Sequence, residues 1–201
     1  ACSTCPTAPA AGCAAGFIPE VVVRVKLHAL RPALLRRTAL AVCLIVASGL
    51  AQAELIRLSA DPGHFRYEPL AEMPARTLRF SVAMRIREFT DAEGWPPASY
   101  MGIFQGTDRR NSLQVLAIRN QPADATLVVG YRLIVDGQER EVASLLALPP
   151  DEAIQVEISF DEGMAAIRIG PSAPLLVGTP FAAVVPYVSV SSATAEFQVV
   201  R

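Results

Sequence analysis

The chain has 201 residues, 52% of them hydrophobic, and 18 Lys+Arg against 19 Asp+Glu leave a formal charge of −1 at pH 7. That composition is too apolar for a disordered chain, which needs low hydrophobicity and high net charge. It also lacks the basic surplus by which nucleic-acid binders neutralise phosphates, so nucleic acid is not an expected partner.

The first element in chain order is a leader. From Thr38 to Ala51 only Thr38, Ser48 and Gly49 interrupt the apolar residues. As a helix, this run reaches about 21 Å, short of the roughly 30 Å hydrocarbon core of a bilayer. A membrane span is disfavoured, and none is expected once the leader is removed. Arg24, Lys26, Arg31, Arg36 and Arg37 precede the run, and Ala51-Gln52-Ala53 closes it. A basic region, a short apolar region and a small-x-small end describe a secretory signal peptide over residues 23–53, cut between Ala53 and Glu54. The expected destination is the periplasm or the exterior. Residues 1–22 lack an initiator Met and precede a segment that belongs at a start. They read as upstream sequence translated from a misplaced start, with the true start near Val23 or Val25. Cys2 and Cys5 form a CxxC pair, but a closed zinc site needs four ligands and only Cys13, Cys43 and His28 could add to it.

Residues 54–201 suit one domain. They contain 13 Arg, no Lys and 18 Asp+Glu, a net of −5, and no cysteine. Stability therefore rests on an apolar core rather than on disulfides, even at an oxidising destination. His64 is the sole histidine of this part. A Ser-His-Asp triad would have to use it, and no G-x-S-x-G elbow is present. Between Gly63 and Phe65 it reads as a turn residue, which leaves any catalysis to carboxylates.

Strands follow one another: Glu54–Ser59, Phe65–Leu70, Arg79–Phe89, Tyr100–Gln105, Ser112–Arg119, Thr126–Val135, Gln138–Leu146, Ala153–Phe160, a return strand ending at Gly170, Val184–Ser191 and Ala195–Val200. In Arg79–Phe89 a period of two puts Phe80, Val82, Met84 and Ile86 on one face. Ala153–Phe160 does the same with Ile154, Val156, Ile158 and Phe160. With Glu162-Gly163 as a two-residue turn, Phe160 faces Ala165, Ile158 faces Ile167, Val156 faces Ile169 and Glu157 meets Arg168. Asp136-Gly137 is a second turn dipeptide, and a two-residue loop there sets Arg132 opposite Glu141 and Tyr131 opposite Val142. No amphipathic helix of ten or more residues stands out. About ten short strands spaced by Pro, Gly and Asp/Asn turns predict an all-β, antiparallel two-sheet sandwich in which stacked sheets bury the apolar faces.

Three stretches carry a resemblance. AIQVEISFDEGMAAIRIG is similar to the paired strands of laminin-G-like, concanavalin-A-like jelly rolls. SYMGIFQGTDRRNSLQVLAI resembles an earlier hairpin of that family, and VPYVSVSSATAEFQVV its closing strand. The resemblance spans roughly residues 79–201, and Asp151-Glu152 stand where the family often has a Trp before the alternating strand. It implies a jelly roll and a role in binding carbohydrate.

The candidate site residues lie between strands. The segment 88–97 joins two strands and sets Asp91 and Glu93 beside Trp95, the only tryptophan. An indole face can stack on the C–H face of a sugar. Asp91 and Glu93 are candidate oxygen ligands for Ca2+. The alternative is a solvated loop whose Trp covers the sandwich edge. Asp108, Arg109 and Asn111 read as a polar hairpin tip able to hydrogen-bond a glycan or an acidic partner. A carboxylate glycosidase is a competing reading, although Asp91-Ala92-Glu93 supplies only half of the E-x-D-x-x-E pattern such jelly rolls carry on a strand. The functional expectation is a non-catalytic module for a glycan or an envelope protein. The alternatives are that glycosidase and a structural or adhesive envelope protein.

Overall fold

The computed structural model describes residues 53–201. The expected extension (1–22), nearly all of the expected leader (23–53) and the cysteine pair lie outside them; exposed Ala53 directly precedes the first strand. Among the described residues, no helix is long and apolar enough to cross a membrane.

The described residues form two six-stranded antiparallel sheets. The first runs in the order β1 (Glu54–Ser59), β12 (Ala193–Val200), β3 (Thr77–Phe89), β8 (Ile154–Asp161), β9 (Met164–Ile169) and β10 (Leu175–Gly178). The second runs β2 (Phe65–Pro69), β11 (Val184–Ser191), β4 (Ala98–Gln105), β5 (Asp108–Ile118), β6 (Leu127–Val135) and β7 (Gln138–Leu148). This is the sandwich that the alternating pattern predicts. Side chains two apart share a face, so one apolar set per strand faces the opposite sheet. Phe80, Val82, Met84 and Ile86 of β3 and Ile154, Val156, Ile158 and Phe160 of β8 are all buried in the main core. Met101 and Ile103 of β4, Leu113 and Val115 of β5, and Val188 and Val190 of β11 belong to the same core. The Ser99 hydroxyl donates to Met84 Sδ at 3.3 Å, tying β4 of one sheet to β3 of the other.

The β8–β9 hairpin has the register that its turn dictates: Phe160 pairs with Ala165, Ile158 with Ile167, Val156 with Ile169, and Glu157 with Arg168. Glu162 (φ 40°) and Gly163 (φ 90°) both take the left-handed conformation of a type I′ turn. Glu157 lies 2.7 Å from Arg79 and 3.8 Å from Arg168. A Cβ at Gly163 would stand 3.1 Å from the Thr179 carbonyl oxygen, on a backbone that β-branched residues avoid. Gly163→Val is therefore expected to destabilise by about 1–3 kcal/mol in urea unfolding.

The second hairpin departs from its expected register. Asp136 (φ 55°) and Gly137 (φ 77°) make the turn, and Val135–Gln138 and Ile134–Glu139 pair as expected. The ladder then skips Arg140, so Leu133 pairs with Glu141, Arg132 with Val142 and Tyr131 with Ala143. This β-bulge puts Glu141 on the face of Tyr131, whose hydroxyl donates to it, and frees Arg132 for other partners. The β4–β5 connection also differs. Its turn is Gly106-Thr107, with Gly106 at φ 56°, and Asp108 already pairs with Gln105. Asp108, Arg109 and Asn111 thus belong to a bulged strand start rather than to a hairpin tip. The sequence reading also misses β10, four residues long and lacking an alternating polar partner set.

Candidate functional site

The second sheet has two faces of unlike character. One joins the main core; the other carries a separate buried cluster of Phe104, Val185 and Tyr187. Register places Tyr67 of β2, Ser189 of β11 and Tyr100 of β4 in one row on this outer face. The next row holds Pro69, Tyr187, Gly102, Gln114 and Arg132. Strands with buried residues on both sides read as near-continuous burial, and β4 and β11 show that pattern.

Gly102 sits in the middle of the second row. A Cβ there would overlap the Leu113 carbonyl oxygen and stand 3.1 Å from Gln114 Cα, so the backbone itself is the floor at this point. Around it the polar groups are linked. Arg132 Nε donates to Gln114 Oε1 at 2.7 Å, and Gln114 Nε2 donates to Ser112 Oγ at 3.0 Å. Glu139 lies 3.9 Å from Arg132 Nη1, at the limit of an ion pair. Trp95 Nε1 donates to Ser191 Oγ. Burial raises the Tyr187 hydroxyl well above the usual tyrosine range, with Arg132 and Gln114 pulling the other way. Burial also raises Tyr100, opposed by Arg132 and the Ser191 hydroxyl. Both phenols therefore stay protonated at neutral pH and can donate hydrogen bonds.

A cleft of about 530 Å³ opens over this network, lined by Phe65, Gly94, Trp95, Pro96, Tyr100, Ile118, Arg132 and Ser191. Trp95 is 44% exposed there and Phe65 42%. Phe65 meets Tyr100 edge-on at 6.1 Å. The Arg132 guanidinium lies 5.4 Å over the Tyr100 ring, and that of Arg109 lies 4.0 Å over Tyr67 and 5.9 Å from Phe65. A second, smaller cleft of about 220 Å³ on the same face is lined by Tyr67, Glu72, Phe104, Arg109 and Val185, among others.

The six residues singled out from the sequence do not form one site. Trp95 and Arg109 share the outer face: Trp95 lines a cleft with Phe65, and Arg109 lies 5.9 Å from that ring. Asp91 and Glu93 line a different hollow beside Asn120 and Pro122, which Trp95 closes on one side. Arg119 Nη2 donates to Asp91 at 2.9 Å, so that carboxylate already has a cation. Among the described residues no group of three or more His, Cys, Asp or Glu converges as a metal site would need. Asn111 Oδ1 accepts from the Asp136 backbone N–H at 2.8 Å and secures the neighbouring turn. Asp108 stands at the start of β5. His64 is in its turn, with Nδ1 2.9 Å from the Pro62 carbonyl oxygen.

Sequence reasoning missed Phe65, Tyr100, Gln114, Arg132, Tyr187 and Ser189. A signal was present in ASYMGIF and VPYVSVSS. There the positions alternating with the apolar core set, Tyr100, Gly102, Phe104, Val185, Tyr187, Ser189 and Ser191 among them, are uncharged, unlike the charged outer positions of β3.

No protein-family model and no curated protein matches the chain. Solved structures do. Carbohydrate binding module CBM66 from Bacillus subtilis superposes with a TM-score of 0.50 at 10% identity, over 75% of this chain and 93% of that one. CG-16, a homodimeric agglutinin from chicken liver, gives 0.44 at 13% identity, over 67% and 99%. An alginate lyase from Alteromonas sp. 272 gives 0.49 at 9%, over 74% and 86%. With two stacked antiparallel sheets in hand, the fold of this chain is a jelly-roll-type sandwich like that of the Bacillus subtilis module.

Proposed function

We propose that the domain is a non-catalytic carbohydrate-binding module whose sugar lies in the Trp95–Tyr100–Arg132 cleft. The observation that carries this reading is the half-exposed Trp95, standing with Phe65 over an open cleft whose walls are aromatic and whose floor is a linked polar network. Apolar ring faces cover the C–H face of a pyranose, while Arg132, the tyrosine hydroxyls and Ser191 are placed to meet its hydroxyls. The Bacillus subtilis module of the same fold is, by its name, a carbohydrate binder, which accords with this reading. Among the described residues lining this cleft none is a carboxylate. The paired acids of a glycosidase are therefore not supplied here. Export to the periplasm or beyond, with cleavage between Ala53 and Glu54, would bring the domain to envelope or environmental glycans.

A glycan-array screen followed by fluorescence titration tests the proposal. A bound sugar covers the indole and removes water from it, so Trp95 emission should shift on binding. Trp95→Ala should weaken binding at least tenfold while the melting temperature moves little, since the side chain is half outside the fold. A large stability loss with no ligand response would make Trp95 a cover for the sandwich edge and end the proposal. Binding of an envelope protein in the absence of any glycan would redirect it.

A further inference from the structure

Charge on the outer face of the second sheet is uneven. In the Trp95 cleft, Arg132 is the only charged lining residue among those described. Its Nε is held by Gln114, and Glu139 approaches Nη1 at 3.9 Å; no hydrogen bond or ion pair with a described residue takes Nη2. Arg109, on the same face, stacks on Tyr67 and Phe65 and has no carboxylate partner among the described residues. An arginine laid over an aromatic ring is oriented before any ligand arrives, and its planar fork matches a carboxylate. The floor adds a third feature. Ser189 Oγ, fully buried in the row between Tyr67 and Tyr100, has no hydrogen-bond partner among the described residues. A buried hydroxyl without a partner costs stability unless something supplies one. Ser189 lines neither cleft, so a ligand oxygen would reach that hydroxyl only if the rings beside it parted.

Resting on the carbohydrate-binding reading above, we propose that the glycan taken on this face is acidic: a sugar chain bearing carboxylates, one held by Arg132 in the Trp95 cleft and another by Arg109 toward the Tyr67 cleft. The surroundings favour this over a neutral chain. A domain with a net charge of −5 over residues 54–201 repels anions in general, so two arginines gathered on one face select locally rather than by bulk attraction, against Glu72 in the Tyr67 cleft and Glu139 near Arg132.

The test uses residues 54–201 and matched pairs of oligosaccharides. Oligogalacturonate, oligomannuronate and oligoglucuronate are each titrated beside a twin whose carboxyl groups have been reduced to alcohols. The expected result is that at least one acidic chain binds tenfold or more tighter than its reduced twin, and that added salt weakens it. Arg132→Gln and Arg109→Gln should each remove most of that difference, so that on either variant the acidic chain binds little better than its reduced twin. Circular dichroism and melting of both variants establish that they fold. Equal binding of acid and reduced forms overturns the acidic assignment but leaves carbohydrate binding standing. So does binding of neutral or sulfated chains with no uronate among them. No binding to any glycan overturns both.

Discussion

Gly102→Ala should lower stability by about 3 kcal/mol, the upper end of what overpacking costs, and abolish ligand binding with it. The added methyl has no direction in which to give. It meets the Leu113 carbonyl oxygen and Gln114 Cα, both backbone atoms of the neighbouring strand β5, rather than the end of a flexible side chain. Relief requires β4 and β5 to separate, and that pair sits inside the sheet with β11 and β6 on its flanks. Ladder hydrogen bonds would lengthen on both sides. The same shift would lift Gln114 from Arg132 and tilt Tyr187 out of its row. Chemical unfolding read by far-UV circular dichroism checks the stability, and titration at a denaturant-free temperature well below melting checks the site. A variant as stable as the parent would show that the strands tolerate wider spacing here and that Gly102 is not a floor.

Ile158→Ala should cost about 2–5 kcal/mol. Ile158 has no exposed surface, pairs with Phe80 on one side and Ile167 on the other, and faces the second sheet. Truncation removes apolar burial and leaves a void between two sheets that cannot both collapse into it. Unlike Gly102→Ala, this change lies in the first sheet, remote from the outer face of the second. The surviving folded fraction should therefore bind with parental affinity. A near-neutral Ile158→Ala would mean that β8 turns its other face inward.

Much of the fold is legible in the sequence because the physics behind it is local. Alternation in 79–89 and 154–160 identifies inward faces, and Glu162-Gly163 sets a register that then holds for every pair of that hairpin. The two register errors share one cause. A bulge is a short stretch that fails to pair, one residue at Arg140 and three at 109–111, and neither differs in type from ordinary outer-face residues. Register beyond such a point is decided by packing on the opposite side of the sheet. The site was less legible for a related reason. Trp95 is conspicuous as the only indole, but Phe65, Tyr100, Arg132 and Tyr187 come from four strands, and only the order β2-β11-β4-β5-β6 brings them to one face, the first three to one cleft. Asp91 and Glu93 are adjacent to Trp95 in sequence yet look into another hollow, because a short loop bridging two sheets turns its successive side chains apart.

The chain closes on itself late. β1 pairs only with β12 and β2 only with β11, and the Ser59–Thr194 hydroxyl contact joins positions 135 residues apart. Loop-closure entropy has to be met before such distant pairings return anything, so topology of this kind folds slowly, over milliseconds to seconds. A chain emerging from its N-terminal side would hold β1 and β2 as unpaired edges until the final two strands arrive, and those strands meet at Ser192, which sits at φ 47° and accepts a hydrogen bond from Gly63 through its hydroxyl. Tyr187, Ser189 and Ser191 come on β11, so the outer face is among the last features to exist. Such a face does not exist in any shorter piece of the chain, and forms only when nearly the whole of it is available to pair.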